Sequence, residues 1–486
     1  MTSKYAQAIF DKLFVPEGKR FVVALNREQL LYTQEVCDKL EVTFAVQVHF
    51  GNTLDLRLLR EKWLSGEKED YVLFVTYDDI EIMQDVANEV DYVVFQFRSF
   101  FPHYPWDIVK RLSFKQQEWL YEQPQFVDLD KLQTENLLRD SAGEIGRKED
   151  AFQKLKSEWA SNCQEMDFNK PTAWMQKAAE LLLSAIEMDR LGDLKEDIAD
   201  VNNKFLSYLQ ESYVNIISST CGNKSPRIVT HVLPFLAKQK DDKIALVIID
   251  GMNYWQSILL TRSLEENLNI RTKTDCIYSW LPSVTELSRQ AIFRGEIPLV
   301  EYNQSPDSEK KLWREFWESK GLQTFQQYYQ HSGIINEETA VKRLGYVVVK
   351  LDDKMHASDN YMYLYDNTKR WVEEKDVLQN IKHLIDSGFK VYITTDHGNI
   401  ETTAYKKLDS RDKLGANLSY RHITLPDPAN KSIFEAEYAG HIVQIDKDSR
   451  TYYAIDKEAF TSKERCVTHG GTHWLEVLIP FITIEG

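Results

Sequence analysis

The chain has 486 residues, which exceeds one ordinary hydrophobic core and predicts two or three domains. Its 43% hydrophobic and 28% charged residues are typical of a globular protein, and its net charge of −16 argues against a broad basic surface for non-specific nucleic-acid binding. The five scattered cysteines form no C-x-x-C pair, which fits a reducing compartment. The sequence contains neither a membrane span nor a secretion signal. We therefore expect a cytoplasmic protein that does not contact a membrane.

The first hundred residues alternate short apolar runs with helix-like stretches. The apolar runs are rich in branched and aromatic residues, and they predict strands over residues 21–25, 44–48, 71–75 and 92–95. Helices are predicted between them, over residues 28–40 and 54–63. This alternation indicates a small α/β domain over residues 1–104.

A helical period replaces this pattern after residue 104. Residues 173–188 place their apolar side chains on one broad face, and Gly192 follows as a stop signal. A second helix is predicted over residues 205–217. We therefore expect a helical domain or spacer over residues 105–225, and its sequence indicates no chemistry.

The α/β pattern returns in the C-terminal half, predicted as a domain over residues 226–486. Six apolar residues at 244–249 run without alternation, as in a strand covered on both faces of a parallel sheet. Further buried strands are predicted at residues 346–349, 391–394 and 478–484. Two polar segments, residues 301–338 and 399–440, are expected to be insertions that cover the sheet edge.

Asp250 and Gly251 end the run at residues 244–249 abruptly. Ligands of open α/β sheets bind just beyond the carboxyl ends of the strands, so Asp250 is a candidate site residue. An aspartate that caps the following helix is the alternative interpretation.

Three further stretches place metal-ligand residue types at strand ends. Asp352 and His356 are four residues apart, which aligns both side chains on one helical turn. Asp396 and His397 follow a strand directly, and the next glycine would let the backbone approach a ligand. His469 lies on a glycine turn before the last strand. Each stretch alone also fits a turn or a surface histidine, but together they suit two divalent cations, Zn²⁺ or alternatively Mn²⁺.

Thr285 is the candidate nucleophile. It follows Ser283, which forms a Ser-x-x-Glu capping-box pattern with Glu286 at the start of a predicted helix. Under that interpretation Thr285 merely occupies the first turn. The functional interpretation uses the same geometry, because the free N–H groups and the dipole of a first helical turn favour an anionic phosphate.

As an ordered set, these motifs resemble the PglZ domain of the alkaline phosphatase superfamily of metal-dependent phosphohydrolases. The resemblance covers residues 240–486 and rests on Ile-Asp-Gly-Met, Leu-Pro-Ser-Val-Thr-Glu-Leu-Ser-Arg-Gln-Ala, Thr-Asp-His-Gly and Thr-His-Gly-Gly-x-x-x-x-Glu-Val-x-Ile-Pro. It implies an α/β fold with a central, mostly parallel sheet flanked by helices. It also implies two metal sites, formed by Asp250, Thr285, Asp396 and His397 and by Asp352, His356 and His469.

The resemblance assigns the nucleophile to Thr285, a threonine as in the nucleotide pyrophosphatase and phosphodiesterase branch. Ser288 falls where that branch has an asparagine that contacts phosphate, and this departure leaves its role open. Arg289 could reach a phosphate oxygen or lie on the helix surface. His473 is expected near the ligands or at the surface, and Arg421 lies in an insertion that could set specificity.

The resemblance implies a metal-dependent phosphodiesterase that acts on nucleotides or oligonucleotides in two displacements, through a phosphothreonine. PglZ domains occur in BREX-type phage defence and in some signalling regulators, so the resemblance implies a bacterial cytosolic protein whose N-terminal and helical domains bind protein partners. A phosphomonoesterase or mutase acting on a small metabolite is one alternative. A non-catalytic adaptor that binds a metal or a nucleotide is another.

Overall fold

The structure is a computed structural model, and it describes residues 4–15, 17–28, 34–65, 71–77, 80, 82, 84–123, 127–162, 166–299, 301–409, 413 and 416–485. The chain divides into two compact units, residues 2–151 and residues 152–486. Among the described residues, no helix combines the length and the apolar character needed to span a bilayer.

The unit of residues 2–151 is built on a four-stranded parallel sheet in the order β2-β3-β1-β4. Its strands are β1 (Phe21–Leu25), β2 (Val46–Phe50), β3 (Tyr71–Thr76) and β4 (Asp91–Val94). Its helices are α1 (Lys4–Leu13), α2 (Gln34–Phe44), α3 (Thr53–Ser65), α4 (Gln84–Ala87), α5 (Trp106–Val109) and α6 (Phe114–Glu122), and α7 (Lys131–Asn162) contains the boundary between the units.

The predicted small α/β domain is confirmed by this sheet. Strand β1 is buried along its whole length between β3 and β4, as its unbroken apolar sequence predicts. Strand β2 begins two residues later than predicted, because α2 continues to Phe44 and Ala45 then adopts a positive φ of 52°. Residues 29–33 of the predicted helix over 28–40 lie outside the described residues.

The unit of residues 152–486 holds the remaining elements. Its helices are α8 (Thr172–Glu187), α9 (Lys195–Ile217), α10 (Val232–Leu236), α11 (Tyr254–Leu268), α12 (Thr285–Arg294), α13 (Pro306–Ser319), α14 (Lys350–His356), α15 (Tyr361–Glu373), α16 (Lys375–Asp386), α17 (Lys431–Glu437) and α18 (Trp474–Val477). Its strands are β5 (Ile244–Ile249), β6 (Arg271–Tyr278), β7 (Gln327–His331), β8 (Arg343–Val348), β9 (Lys390–Thr394), β10 (Ile400–Ala404), β11 (Asn417–Leu418), β12 (His422–Thr424), β13 (Ile442–Val443), β14 (Thr451–Ala454), β15 (Glu458–Ala459), β16 (Arg465–Thr468) and β17 (Leu478–Glu485).

The predicted mostly parallel central sheet is confirmed. Its six strands lie in the order β6-β17-β9-β5-β8-β7, and β17 alone runs antiparallel to its neighbours. Strand β5 has no polar face because both of its faces are covered. Ile244 and Leu246 pack into one hydrophobic cluster, and Ala245 and Val247 pack into a second. Helices on both faces therefore explain the unalternating apolar run.

Helices α8 and α9 pack into the same hydrophobic cluster as this sheet. Trp174 contacts Trp474, and Phe205 stacks on Tyr278 of β6. Helix α9 begins ten residues before the predicted helix over 205–217. The sequence predicts domain boundaries between residues 104 and 105 and between residues 225 and 226. Both boundaries stay predictions.

The two segments predicted as insertions contribute strands, and their role as cover for the sheet edge stays a prediction. Residues 301–338 contain α13 and β7, and β7 is the edge strand that pairs in parallel with β8. Residues 399–440 contain β10, β11, β12 and α17. Strand β10 joins β15 and β16 in a three-stranded sheet, while β11 and β12 join β14 and β13 in a four-stranded sheet.

Candidate functional site

The predicted ligands meet at one rim of the six-stranded sheet, where His469 is contributed by β16 of the neighbouring three-stranded sheet. Asp250 follows β5, α14 carries Asp352 and His356, and His397 and His469 follow β9 and β16. One ligand atom each from Asp352, His356 and His469 lies within 4.8 Å of the others. The same is true of Asp250, Asp352 and His397. Strands β5, β8 and β9 are parallel neighbours, so their carboxyl ends meet at this rim.

Asp352 belongs to both of these groups. The resemblance implied Asp352 for one metal site only, together with His356 and His469. In the structure a carboxylate oxygen of Asp352 also lies close to Asp250 and His397. Asp352 therefore lies between the two ligand groups, and the metal-binding role of each residue stays a prediction.

Thr285 and Asp396 complete the cluster. Thr285 Oγ1 lies 3.0 Å from His397 Nε2, which in turn lies 3.7 Å from Asp396 Oδ2 and from Asp250 Oδ1. Asp396 Oδ1 accepts hydrogen bonds from the backbone N–H groups of Gly251 and His397 at 3.1 and 3.0 Å. One oxygen of Asp396 is thus fixed by the backbone, and the other is directed toward His397.

Two of the imidazoles are held in the tautomer that a metal ligand needs. His397 Nδ1 lies 2.8 Å from the carbonyl of Gly398, and His469 Nδ1 lies 3.0 Å from the carbonyl of Ser283. Because a carbonyl can only accept, both Nδ1 atoms carry a proton, and in the neutral imidazole Nε2 is then the atom that can bind a metal. His356 differs, since 49% of its side chain is exposed and it opens the cluster to solvent.

Each of the three carboxylates in this cluster has one buried oxygen without a hydrogen-bond partner among the described residues. These oxygens are Asp250 Oδ1, Asp352 Oδ1 and Asp396 Oδ2. Burial raises the pKa of Asp250 well above its usual range, with Asp396 adding to the rise and Arg289 opposing it. Burial likewise raises the pKa of Asp352. Buried carboxylate oxygens without donors are costly, and oxygen and imidazole ligands suit Zn²⁺ or Mn²⁺, so this donor set fits divalent cations.

The capping-box alternative for Ser283 and Glu286 is wrong. Helix α12 begins at Thr285 after Val284, and no side chain caps it. The Ser283 hydroxyl instead donates to the carbonyl of Gly471 at 2.9 Å and accepts from the N–H of Gly470 at 3.2 Å. Ser283 therefore ties the start of α12 to the glycine turn that follows His469.

Arg289 is buried, so the helix-surface alternative is wrong. Its Nη1 donates to Asp250 Oδ2 at 2.8 Å, and its Nε lies 2.7 Å from Glu309 Oε1. Neighbouring Ser288 is buried too, and its hydroxyl has no hydrogen-bond partner among the described residues. Substrate binding by Arg289 and Ser288 stays a prediction.

Glu309 was not among the site residues predicted from the sequence. It is fully buried on α13, where burial raises its pKa and the charge of Arg289 and hydrogen bonds from Tyr329 and Gln304 oppose the rise. A signal was present, because Glu309 precedes the buried Trp313 and Trp317 at intervals of four on one helix face. An acid on the apolar face of an amphipathic helix indicates a buried partner.

A second missed feature is a buried ion pair behind the glycine turn. Arg421 Nη2 lies 3.0 Å from Glu476 Oε2, and both side chains are fully buried. Glu476 Oε1 accepts from the N–H of Gly471 at 2.8 Å. His473 is also buried, and its Nδ1 accepts from Leu475 N at 3.2 Å at the start of α18. These residues support the turn from behind.

The glycine after His397 has a different use from the predicted one. A Cβ on Gly398 would lie 2.1 Å from the carbonyl oxygen of Leu475, and the Gly398 N–H donates to the carbonyl of Glu476 at 2.9 Å. The close approach is therefore to the backbone of α18. It packs α18 directly behind the cluster.

The family model described as "BREX system PglZ alkaline phosphatase-like domain" matches residues 228–484. Among curated proteins, none matches the chain significantly. Similar solved structures include murine ectonucleotide pyrophosphatase/phosphodiesterase 5, at 12% identity and a TM-score of 0.36 over 50% of this chain and 87% of that one. Phosphonoacetate hydrolase from Sinorhizobium meliloti 1021 is similar at 10% identity and a TM-score of 0.33, over 50% of this chain and 90% of that one.

Proposed function

Because the chain belongs to the family of BREX system PglZ alkaline phosphatase-like domains, we propose that it is a metal-dependent phosphohydrolase. Phosphodiesters, with nucleotides or oligonucleotides as the substrate class, are the proposed substrates. The observation that carries the proposal is the convergence of two ligand groups, which share Asp352, next to the Thr285 hydroxyl at one rim of the sheet. The threonine favours diesters, because the diesterase branch of the superfamily has threonine at this position.

Thr285 is the proposed nucleophile. Its Oγ1 loses its proton to solvent and attacks phosphorus, the bond from phosphorus to the leaving alcohol breaks, and the leaving oxygen takes a proton from water. The phosphothreonine that forms keeps the second ester group of the substrate. Water then attacks the same phosphorus, the bond to Oγ1 breaks, and the phosphomonoester product leaves. The first turn of α12 supplies free N–H groups and a positive dipole end beside the anionic phosphate.

Two divalent cations, Zn²⁺ or alternatively Mn²⁺, would supply Lewis acidity that lowers the pKa of the hydroxyl and balances the charge on phosphate. Asp250, Asp396 and His397 are the proposed holders of one ion, next to Thr285. Asp352, His356 and His469 are the proposed holders of the other. Asp352 lies close enough to both groups to support either ion.

Hydrolysis assays with Zn²⁺, Mn²⁺ or a chelator test this proposal. We expect the wild type to hydrolyse bis(p-nitrophenyl) phosphate faster than p-nitrophenyl phosphate, and only with metal. Thr285→Ala should lose about three orders of magnitude or more in kcat, since it removes the attacking atom. Thr261→Ala is the matched control, because the Thr261 hydroxyl bonds the carbonyl of Ile258 within α11. Faster monoester hydrolysis would favour the phosphomonoesterase alternative, and an unchanged Thr285→Ala would refute the nucleophile.

The proposed setting is BREX-type phage defence in the bacterial cytoplasm, with protein partners bound through the N-terminal and helical regions. The description of the matching family supports this setting. Phage challenge of cells that carry the whole defence locus tests it, with wild type against Thr285→Ala. Protection lost in the variant would support catalysis in defence. Equal protection would favour the alternative of a non-catalytic adaptor.

A further inference from the structure

A buried row of three charged side chains runs from the candidate metal cluster into α13. Asp250 accepts from Arg289 Nη1 at 2.8 Å, and Arg289 Nε lies 2.7 Å from Glu309 Oε1. The exposed fractions of the three residues are 4%, 5% and 0%. Arg289 therefore lies between two carboxylates, and only Asp250 is a predicted metal ligand.

Glu309 is held rigidly in place. Its Oε2 accepts from the hydroxyl of Tyr329, and its Oε1 accepts from the amide of Gln304. The Tyr329 ring packs edge-on against Phe293 of α12 at 5.6 Å between centroids. Two hydrogen-bond donors therefore converge on this carboxylate, and the Arg289 guanidinium lies beside it as an opposite charge.

The charge balance of the row changes when Asp250 binds a cation. Arg289 is shared between two carboxylates, those of Asp250 and Glu309. When a divalent cation binds Asp250, the positive charge of Arg289 lies close to a second positive charge in a buried site. Within this row, Glu309 is then the only carboxylate that interacts with Arg289 and not also with the cation. The loss of Glu309 would leave Arg289 in competition with the metal for Asp250.

Building on the proposed function, we propose that Glu309 is a positioning residue that keeps Arg289 in place while Asp250 holds a divalent cation. It acts through Arg289 and does not contact the metal. Its effect on metal binding therefore depends on the presence of Arg289. A residue that merely packs α13 against α12 would show no such dependence.

The test is a double-mutant cycle on Zn²⁺ affinity, measured by competition with a chelating dye on the full chain without substrate. We expect Glu309→Gln to weaken binding by about 10–100-fold, the range for partners behind metal ligands. In the Arg289→Met background, we expect Glu309→Gln to change the affinity by no more than about twofold. Glu315→Gln is the matched control, because Glu315 lies on the same helix with 55% of its side chain exposed.

Two results would overturn the inference: wild-type affinity in Glu309→Gln, or an equal loss in both backgrounds. Circular dichroism shows whether Glu309→Gln alone folds. If it does not, the Zn²⁺ affinity of Arg289→Met is compared with that of the double variant. A further loss of affinity in the double variant contradicts the dependence on Arg289. The cycle needs no turnover. If the wild type is inactive but the double-mutant cycle gives the expected Zn²⁺ affinities, only the proposed function is refuted. If the wild type is active but Glu309→Gln has the same effect on Zn²⁺ affinity in both backgrounds, only this inference is refuted.

Discussion

Glu476→Gln is the substitution that the structure predicts to be most damaging behind the candidate site. It keeps the shape of the side chain and removes the charge that faces Arg421, in a pair with both side chains fully buried. Breaking a buried ion pair costs about 3–5 kcal/mol, because the remaining charge is left uncompensated. Arg421 also donates to the carbonyls of Asp456 and Glu458, which places the expected loss near the lower end, about 3 kcal/mol.

Differential scanning fluorimetry measures this loss. For the unit of residues 152–486, about 3 kcal/mol corresponds to a Tm lowered by roughly 4 °C. The exposed Glu464→Gln is the matched control, and it should leave the Tm unchanged. The double variant Arg421→Met with Glu476→Gln should lose less than the sum of the single variants, by about 1–3 kcal/mol. A Tm of Glu476→Gln within about 2 °C of the control would refute the importance of the buried pair.

Three further predictions concern the turn, a buried histidine and the metal. Ser283→Ala should lower the free energy of unfolding by about 2–4 kcal/mol in a urea titration, because it leaves the buried N–H of Gly470 and the carbonyl of Gly471 without these hydrogen bonds. Wild-type stability would contradict this. Burial lowers the pKa of His422 to about 3, so the unfolded chain binds a proton that the folded chain excludes, and stability falls as the pH drops below about 6.5. Urea titrations between pH 7 and 5 should show His422→Gln with a pH dependence of stability that is shallower than that of the wild type by about 1 kcal/mol per pH unit on average. Equal slopes would refute the assignment. Zn²⁺ at about 100 times its Kd should stabilise the wild type by about 2.7 kcal/mol for each site that it fills, measured in a thermal shift assay. Asp352→Asn should abolish most of this gain, and an undiminished gain would contradict its shared position.

In the six-stranded sheet, the inner strands were readable from the sequence, and the two edge strands were not. Strand β5 has the predicted bounds because both of its faces pack into apolar clusters. Strand β6 (Arg271–Tyr278) was missed, since its exposed half carries Arg, Lys and Thr and only its last three residues are buried. Pairing with β17 along its whole length defines this strand, and such long-range pairing leaves no local signal.

The candidate ligands were predictable for a similar reason. A strand end followed by an acid or an imidazole is a local pattern, and parallel strands bring such ends to one rim. Ser283 had a local pattern as well, but tertiary contacts with Gly470 and Gly471 outcompeted the capping box. Glu309 and Arg289 lie on different helices and are twenty residues apart in the sequence. The local sequence shows only that an acid lies on the apolar face of α13, and it does not identify the partner.

Anomalous diffraction at the zinc edge, from crystals of the full chain grown with Zn²⁺, tests the central claim most directly. We expect two peaks about 3.5–4 Å apart at the rim of the sheet. One should contact Asp352, His356 and His469, and the other should contact Asp250 and His397. Peaks only at other places, or no peak within about 3 Å of these side chains, would contradict a two-metal phosphohydrolase site.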